Sequence, residues 1–271
     1  HQIDTDYIDS SVDASVRHFM NFSELEQSHS VLLVGSNIRH EQPIAAMRIR
    51  QAAQKGLQVL SVNPVAYDWN FACAKEQIAS GVALLEFLGA CLLSLQTLGV
   101  LHLSNRWRER LSEVQRSRLS DQFAKILSKG SGYIILGHYA QSHPHASTIH
   151  RLCEMIGSVS QMRLIAMTPG TNATGLHAIG FGPFHRVNDV RLSTGESSYQ
   201  MIDKQKKLYL LQQVEPEYDH YNPSMTLEAL DKAKAVISIT SYVTDRMLEY
   251  ADVLLPAAMW TEFSGSWVSA T

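Results

Sequence analysis

The stretch Val31–Pro43, VLLVGSNIRHEQP, decides the fold class. Its four leading apolar residues suit a short buried strand, Gly35 supplies a turn that needs a small residue, and Pro43 suits the first turn of a helix. Downstream, Ile44, Met47, Ile49 and Ala52 predict the buried face of that helix, Gly56 falls where a C-cap belongs, and LQVLSV (57–62) gives the next strand. Together these pieces make one βαβ unit of about the minimum length such a unit needs.

Two further units follow the same plan. GYIILG (132–137) leads through a helix containing ASTIHRLCEMIG, with Gly157 as its expected stop, to MRLIAMTP (162–169). KKLYLLQ (206–212) leads through MTLEALDKAKA to VISIT (236–240), and a short helix VTDRMLEY then reaches DVLLP (252–256). Strands alternating with helices imply parallel sheets covered by helices on both faces. The predicted class is therefore α/β, with two doubly wound Rossmann-like lobes. SKGSG (128–132) has the composition of a linker, which puts the first lobe and a helical extension (Ile78 to Leu127) in 1–127 and the second lobe in 128–271; packing of residues 1–25 on the second lobe is left open. The polar stretch from His185 to Lys207 is expected to be a surface loop of the second lobe.

Composition narrows the partners. With 271 residues, 45% of them hydrophobic, the chain can bury one large core or two modest ones. A net charge of −3 gives no broad cationic field, which argues against nucleic acid or an anionic membrane as the main partner. Five arginines between Arg106 and Arg118 are interleaved with Glu109 and Glu113, as on a solvated helix face. VALLEFLGACLLSLQTLGVLHL (82–103) approaches membrane-spanning length. Glu86, Gly89, Ser94 and Thr97 break it, and a core helix with one wet stripe, interrupted near Gly89 or Gly99, is the expectation. No direct membrane insertion is expected. The N-terminal residues have neither the basic start nor the apolar core of a signal peptide. With no initial methionine and an abrupt end in GSWVSAT, the sequence is read as a piece of a longer polypeptide.

The motifs that could carry chemistry are sparse. In doubly wound sheets, anions bind past the carboxyl ends of the strands, where loops present backbone N–H groups. GSN (35–37) and NP (63–64) sit at such ends. GFGPFH at Gly180 has His185 where the last glycine of GxGxxG belongs and no strand before it, and neither a Walker A sequence nor GxSxG occurs. His138, His143, His145 and His150 cluster in one segment, without cysteine or carboxylate at ligand spacing nearby. Cys73, Cys91 and Cys153 are too few and too dispersed for an iron–sulfur cluster or a disulfide framework, so a reducing compartment fits best. Asp252 and Glu262 flank VLLPAAMWT, and their spacing alone assigns them no acid or base role.

Three segments together carry a resemblance: VLLVGSNIRHEQPIAAMRIRQAAQKGLQVLSVNP, LYLLQQVEPEYD and ADVLLPAAMWTEFSGSWV. In order they resemble signatures of the molybdopterin oxidoreductase superfamily, and specifically its form in the large iron–sulfur subunit of bacterial NADH-quinone oxidoreductase, respiratory complex I. ADVLLPAA followed by Glu262 and Gly265 is the most specific part, and TNATG (171–175) resembles the family's asparagine-glycine segment. The resemblance implies lobes that clamp the nucleotide ends of two pterin cofactors in true molybdenum enzymes. Gly35, Ser36, Asn37 and Asn63 would be the pterin-nucleotide positions of the first lobe.

In the complex I form the molybdenum cofactor is understood to be lost, and electrons pass along 2Fe-2S and 4Fe-4S clusters in preceding domains that these residues do not include. This sequence departs from the cofactor-binding pattern in the same direction. Gln212 and Gln213 occupy the turn where relatives usually have glycine, Ser269 stands where they tend to have asparagine, and Glu-Gly-Arg is missing. The implied role is a structural domain of the complex I peripheral arm, at the cytoplasmic face of the bacterial membrane, contacting neighbouring subunits and holding no catalytic residue, cofactor or metal. The alternatives are an active molybdopterin guanine dinucleotide oxidoreductase resembling formate dehydrogenase, and a free-standing nucleotide-binding module.

Overall fold

The computed structural model describes residues 20–159, 161–167, 172, 175, 186–187, 190–191 and 195–268. Among these, residues up to 175 together with Val268 form one compact unit and residues 186–267 form another, the division falling at 178/179.

The larger unit is built on a five-stranded parallel sheet in the order β3-β2-β1-β4-β5. The strands are β1 (Ser30–Val34), β2 (Gln58–Asn63), β3 (Lys75–Ile78), β4 (Gly132–Leu136) and β5 (Arg163–Ala166). Every residue of β1 and β4 is buried, as expected of central strands covered on both faces. Alternation along the strands divides the core. Leu32, Val34, Leu60, Val62, Ile134 and Leu136 pack beneath α4 (Val82–Thr97), α6 (Arg118–Leu127) and α8 (Ala146–Val159). Val31, Leu33, Val59, Tyr133 and Ile135 meet α1 (Phe22–Gln27) and α3 (Pro43–Gln54) on the other face.

The predicted boundary at 128–132 is corrected. Gly132 opens β4, and β4 pairs directly with β1, Ser30 opposite Gly132. The glycines of SKGSG serve close packing: a Cβ on Gly132 would lie 1.8 Å from the Ser30 carbonyl oxygen, and one on Gly130 would lie 2.7 Å from the His29 Cβ. The sheet thus takes in a segment that composition alone assigned to the second lobe. Residues 20–27 pack on this same sheet through Met20 and Leu25, while residues 1–19 lie outside the described residues.

Helix details also differ from expectation. In α3 the buried residues are Ala45, Ala46, Ile49 and Ala52, whereas Ile44 and Met47 are exposed. Pro43 does open the helix, and Gly56, at φ +110, follows its end. Helix α4 is uninterrupted at Gly89 and stops before Gly99, at φ +74. Its expected wet stripe is only half wet. Glu86 and Thr97 are exposed, but Gly89 packs against Leu111 and Val114, and Ser94 is buried with its hydroxyl 2.7 Å from the Asp121 carboxylate and 3.1 Å from Ser120 Oγ. Helix α5 (Asn105–Arg110) carries three of the five arginines, Arg106, Arg108 and Arg110, with no buried residue; the expected single face is broken there, because Leu111 is buried, Arg116 lies between helices and Arg118 opens α6. Helix α8 continues two residues past Gly157, where a Cβ would press on the Met162 carbonyl; Gln161 takes the left-handed position instead.

The smaller unit holds a three-stranded parallel sheet, β10-β9-β8, with β8 (Leu208–Gln212), β9 (Ala235–Thr240) and β10 (Val253–Pro256). A two-residue antiparallel pairing, β6 (Arg186–Val187) with β7 (Val190–Arg191), precedes it. Within the expected loop 185–207 lies α9 (Ser198–Asp203), started by a reciprocal capping box between Ser197 and Gln200. Two short helices, α10 (Pro216–Asp219) and α12 (Met247–Tyr250), flank α11 (Pro223–Asp231) in sequence. Ile202, Tyr209, Ala229, Leu230, Val236, Met247 and Tyr250 form the core of this unit. Both units carry mainly parallel sheets with helices, so the α/β Rossmann-like reading stands.

Candidate functional site

The strand order of the larger unit turns back between β1 and β4, which makes the carboxyl ends of these two strands the place where the fold would hold a ligand. Each strand leads into a four-residue helix: β1 into α2 (Ile38–Glu41), β4 into α7 (His138–Gln141). Gly35 takes φ +54, and its N–H donates to the Val62 carbonyl of β2 at 2.8 Å. Glycine is required here on two counts, because φ is left-handed and because a Cβ would sit 2.5 Å from the Ala140 backbone nitrogen.

The loops after β1 and β4 are in backbone contact. Gly137 N–H donates to the Val34 carbonyl at 3.0 Å, Tyr139 N–H donates to the Gly35 carbonyl at 3.1 Å, and a Cβ on Gly137 would lie 2.3 Å from the Ser36 Cα. The crevice between the strands is therefore occupied by the chain itself.

The four candidate residues are together at this crest; Gly35, Ser36 and Asn63 are buried and Asn37 is half-buried. Asn63 is fully buried; its Oδ1 accepts the Ser36 N–H at 2.7 Å and its Nδ2 donates to Ser61 Oγ at 2.8 Å. That bracket ties the ends of β1 and β2. The donors on the open side converge on Glu41, which sequence reasoning did not single out. Ser36 Oγ donates to one carboxylate oxygen at 2.9 Å, while the N–H groups of Asn37 and His138 donate to the other at 3.0 and 3.3 Å. A carboxylate of the chain thus holds the position that backbone donors at a crest would offer to a phosphate.

The turn after β8 repeats this plan. Gln213 is left-handed at φ +47, and its N–H donates to the Ile239 carbonyl of the neighbouring strand at 2.8 Å, as Gly35 does to Val62. Two residues on, the Glu215 N–H donates to Asp219 at 2.7 Å, matching Asn37 and Glu41 in spacing. The Gln213 side chain extends across the strand ends and donates to Ser241 Oγ at 3.1 Å and to the Ala258 carbonyl at 3.0 Å. Beside it, the Tyr250 hydroxyl lies 3.3 Å from Glu217, and burial together with that carboxylate pushes the Tyr250 pKa up.

The remaining candidates have structural roles. Asp252 accepts the Val236 N–H at 2.8 Å, closing the start of β9, and Glu262 accepts the Met259 N–H at 2.8 Å within its own loop. A ring nitrogen of His143 accepts the His145 N–H at 3.0 Å; burial and the neighbouring His145 lower its pKa. His150 lies 3.3 Å from Glu154. Among the described residues no group of three or more His, Cys, Asp or Glu side chains could hold a metal ion, and no helix is long and apolar enough to cross a membrane. A cleft of about 320 Å³ near His143, lined by Gly81, Val82, Tyr139, Ser142 and His145, offers no lysine or arginine to a phosphate. Gly180 to His185, most of TNATG, and Ser269 fall outside the described residues.

These groups do not fit a pterin guanine dinucleotide. The crest donors of the larger unit are satisfied by Glu41 and its crevice is closed by backbone, while the equivalent turn of the smaller unit carries a glutamine side chain.

No curated protein sequence matches the chain. Among solved structures, acetylene hydratase from Pelobacter acetylenicus is similar with a TM-score of 0.64 at 13% identity, over 94% of this chain and 45% of that one. A chain of the formyltransferase/hydrolase complex from Methylorubrum extorquens, solved with methylofuran, is similar with a TM-score of 0.56 at 15% identity, over 89% of this chain and 65% of that one. At these identities the likeness is one of fold, and this chain spans less than two thirds of either. The molybdopterin oxidoreductase family matches residues 4–271, nearly the full length, and the chain belongs to that family.

Proposed function

We propose that the chain is a cofactor-free structural domain of this oxidoreductase family, serving in the peripheral arm of a bacterial NADH-quinone oxidoreductase. The carrying observation is that both strand-end turns are closed by the chain's own side chains, Glu41 at one and Gln213 at the other. The sequence resemblance to the large iron–sulfur subunit of complex I supports the finer assignment. In this role the domain braces neighbouring subunits at the cytoplasmic face of the membrane, while 2Fe-2S and 4Fe-4S clusters elsewhere in the parent polypeptide carry electrons from NADH to quinone.

The test is purification of the tagged parent polypeptide from its native membranes. Co-purification with NADH oxidation and quinone reduction is expected. Isolation free of both activities would end the complex I assignment.

A molybdopterin guanine dinucleotide oxidoreductase is the competing reading, favoured by the left-handed Gly35 turn, which has the conformation of a phosphate-binding turn. It predicts molybdenum or tungsten with pterin in the purified parent.

A further inference from the structure

We propose that Glu41 is a built-in anion, its carboxylate seated where this fold keeps a ligand's phosphate, locking the β1 and β4 crest shut. The inference goes beyond the complex I assignment and does not depend on it. Three observations carry it.

The donor set is first. Fully buried Ser36 presents its hydroxyl, and the backbone N–H groups of Asn37 and His138 point to the same carboxylate, at 2.9, 3.0 and 3.3 Å. One hydroxyl and two backbone amides drawn from two loops make an anion cradle rather than a simple helix cap. His138 is 97 residues from Glu41 in sequence, so the third bond joins loops that no local capping rule would connect.

The crest geometry is second. Gly35 is left-handed and Gly137 approaches the Ser36 backbone more closely than any side chain would allow, so the cradle forms only where these two loops touch.

The repeat is third. Asp219 takes the Glu215 N–H at the same spacing after the left-handed Gln213. The smaller unit thus carries the same acidic position on its own crest, and Glu41 adds to that plan the reach to a second loop.

In chemical terms the lock excludes phosphate by occupation and by charge. A nucleotide diphosphate approaching these donors would have to displace a tethered carboxylate whose effective concentration is high. Removing that carboxylate while keeping the loops leaves three donors unsatisfied, and a small oxyanion is the ligand they would take.

The experiment uses the complete polypeptide with two substitutions. In Glu41→Leu much of the side-chain bulk is kept but both acceptor oxygens are lost; because the Asn37 and His138 N–H groups share one of those oxygens, amide hydrogen exchange at both is expected to quicken by about tenfold or more, as for loss of one charge-assisted bond each. Faster exchange at Asn37 alone would overturn the lock in favour of a local cap. Unchanged exchange at both would overturn it outright.

In Glu41→Ala the thermal midpoint in chloride is expected to fall and to be restored, by about half or more, on adding inorganic phosphate at constant ionic strength, while the wild-type midpoint stays unmoved. An equal response of both proteins to phosphate would contradict the proposal. If Glu41→Ala does not fold, the exchange result in Glu41→Leu decides alone. Loss of the complex I assignment would leave these outcomes unaffected, and their failure would leave that assignment standing.

Discussion

Gly35 and Gln213 hold the same left-handed conformation at equivalent turns, and opposite tolerance follows from their surroundings. Gly35→Ala places a Cβ 2.5 Å from a backbone nitrogen as well as in an unfavourable φ, and a loss of about 2–4 kcal/mol in urea unfolding is expected. Gln213→Gly relieves the φ cost but gives up two exposed hydrogen bonds, so a change within about 1 kcal/mol of zero is expected. The turn at Gly35 was legible from a single glycine after an apolar run. Glu41 was not, because its function appears only when His138 comes beside it from far along the chain.

The thiols belong to the same scale. Burial, with Glu76 adding, pushes the Cys73 pKa up to about 11, and burial raises those of Cys91 and Cys153 as well. None of the three is expected to react quickly with Ellman's reagent at pH 8 until the chain is unfolded. The folded state holds the Cys73 proton more tightly than the unfolded state, so the stability it lends is whole below the ordinary thiol value of 9.0 and is lost as pH rises through about 11. The urea midpoint is expected to decline across that window, and the decline should be shallower in Cys73→Ala.

At the scale of elements, α6 is specified by its ends and its stripe. Ser117 accepts the Ser120 N–H at 3.0 Å while Ser120 Oγ accepts the Ser117 N–H at 3.0 Å, and Phe123, Ala124 and Leu127 are buried. Ser117→Ala is expected to cost about 1 kcal/mol in stability, measured by urea unfolding. The βαβ units were visible because each has an apolar strand followed by helical spacing; of the two marked stops, Gly56 follows the end of its helix whereas α8 runs past Gly157. Strand β3, KEQI, was not, because an edge strand with polar side chains has no apolar signature. The buried side of α4 departs from expectation for a related reason. Nothing local to Ser94 states that Ser120 and Asp121 will cover it.

The whole molecule differs most from its sequence reading at the boundary between units. Glycine and serine at 128–132 have linker composition, yet their small size lets β4 lie against β1, and the division falls at 178/179. Residues 20–127 alone are therefore expected to lack a cooperative unfolding transition, because their sheet would miss β4 and β5, while residues 20–178 are expected to show one by circular dichroism. The central claim at this scale is that the family's cofactor positions have been taken over by the chain's own groups. The most direct measurement is the molybdenum, tungsten and oxidised-pterin content of the complete polypeptide purified from its native source. The account predicts none above background; stoichiometric metal with pterin would contradict it.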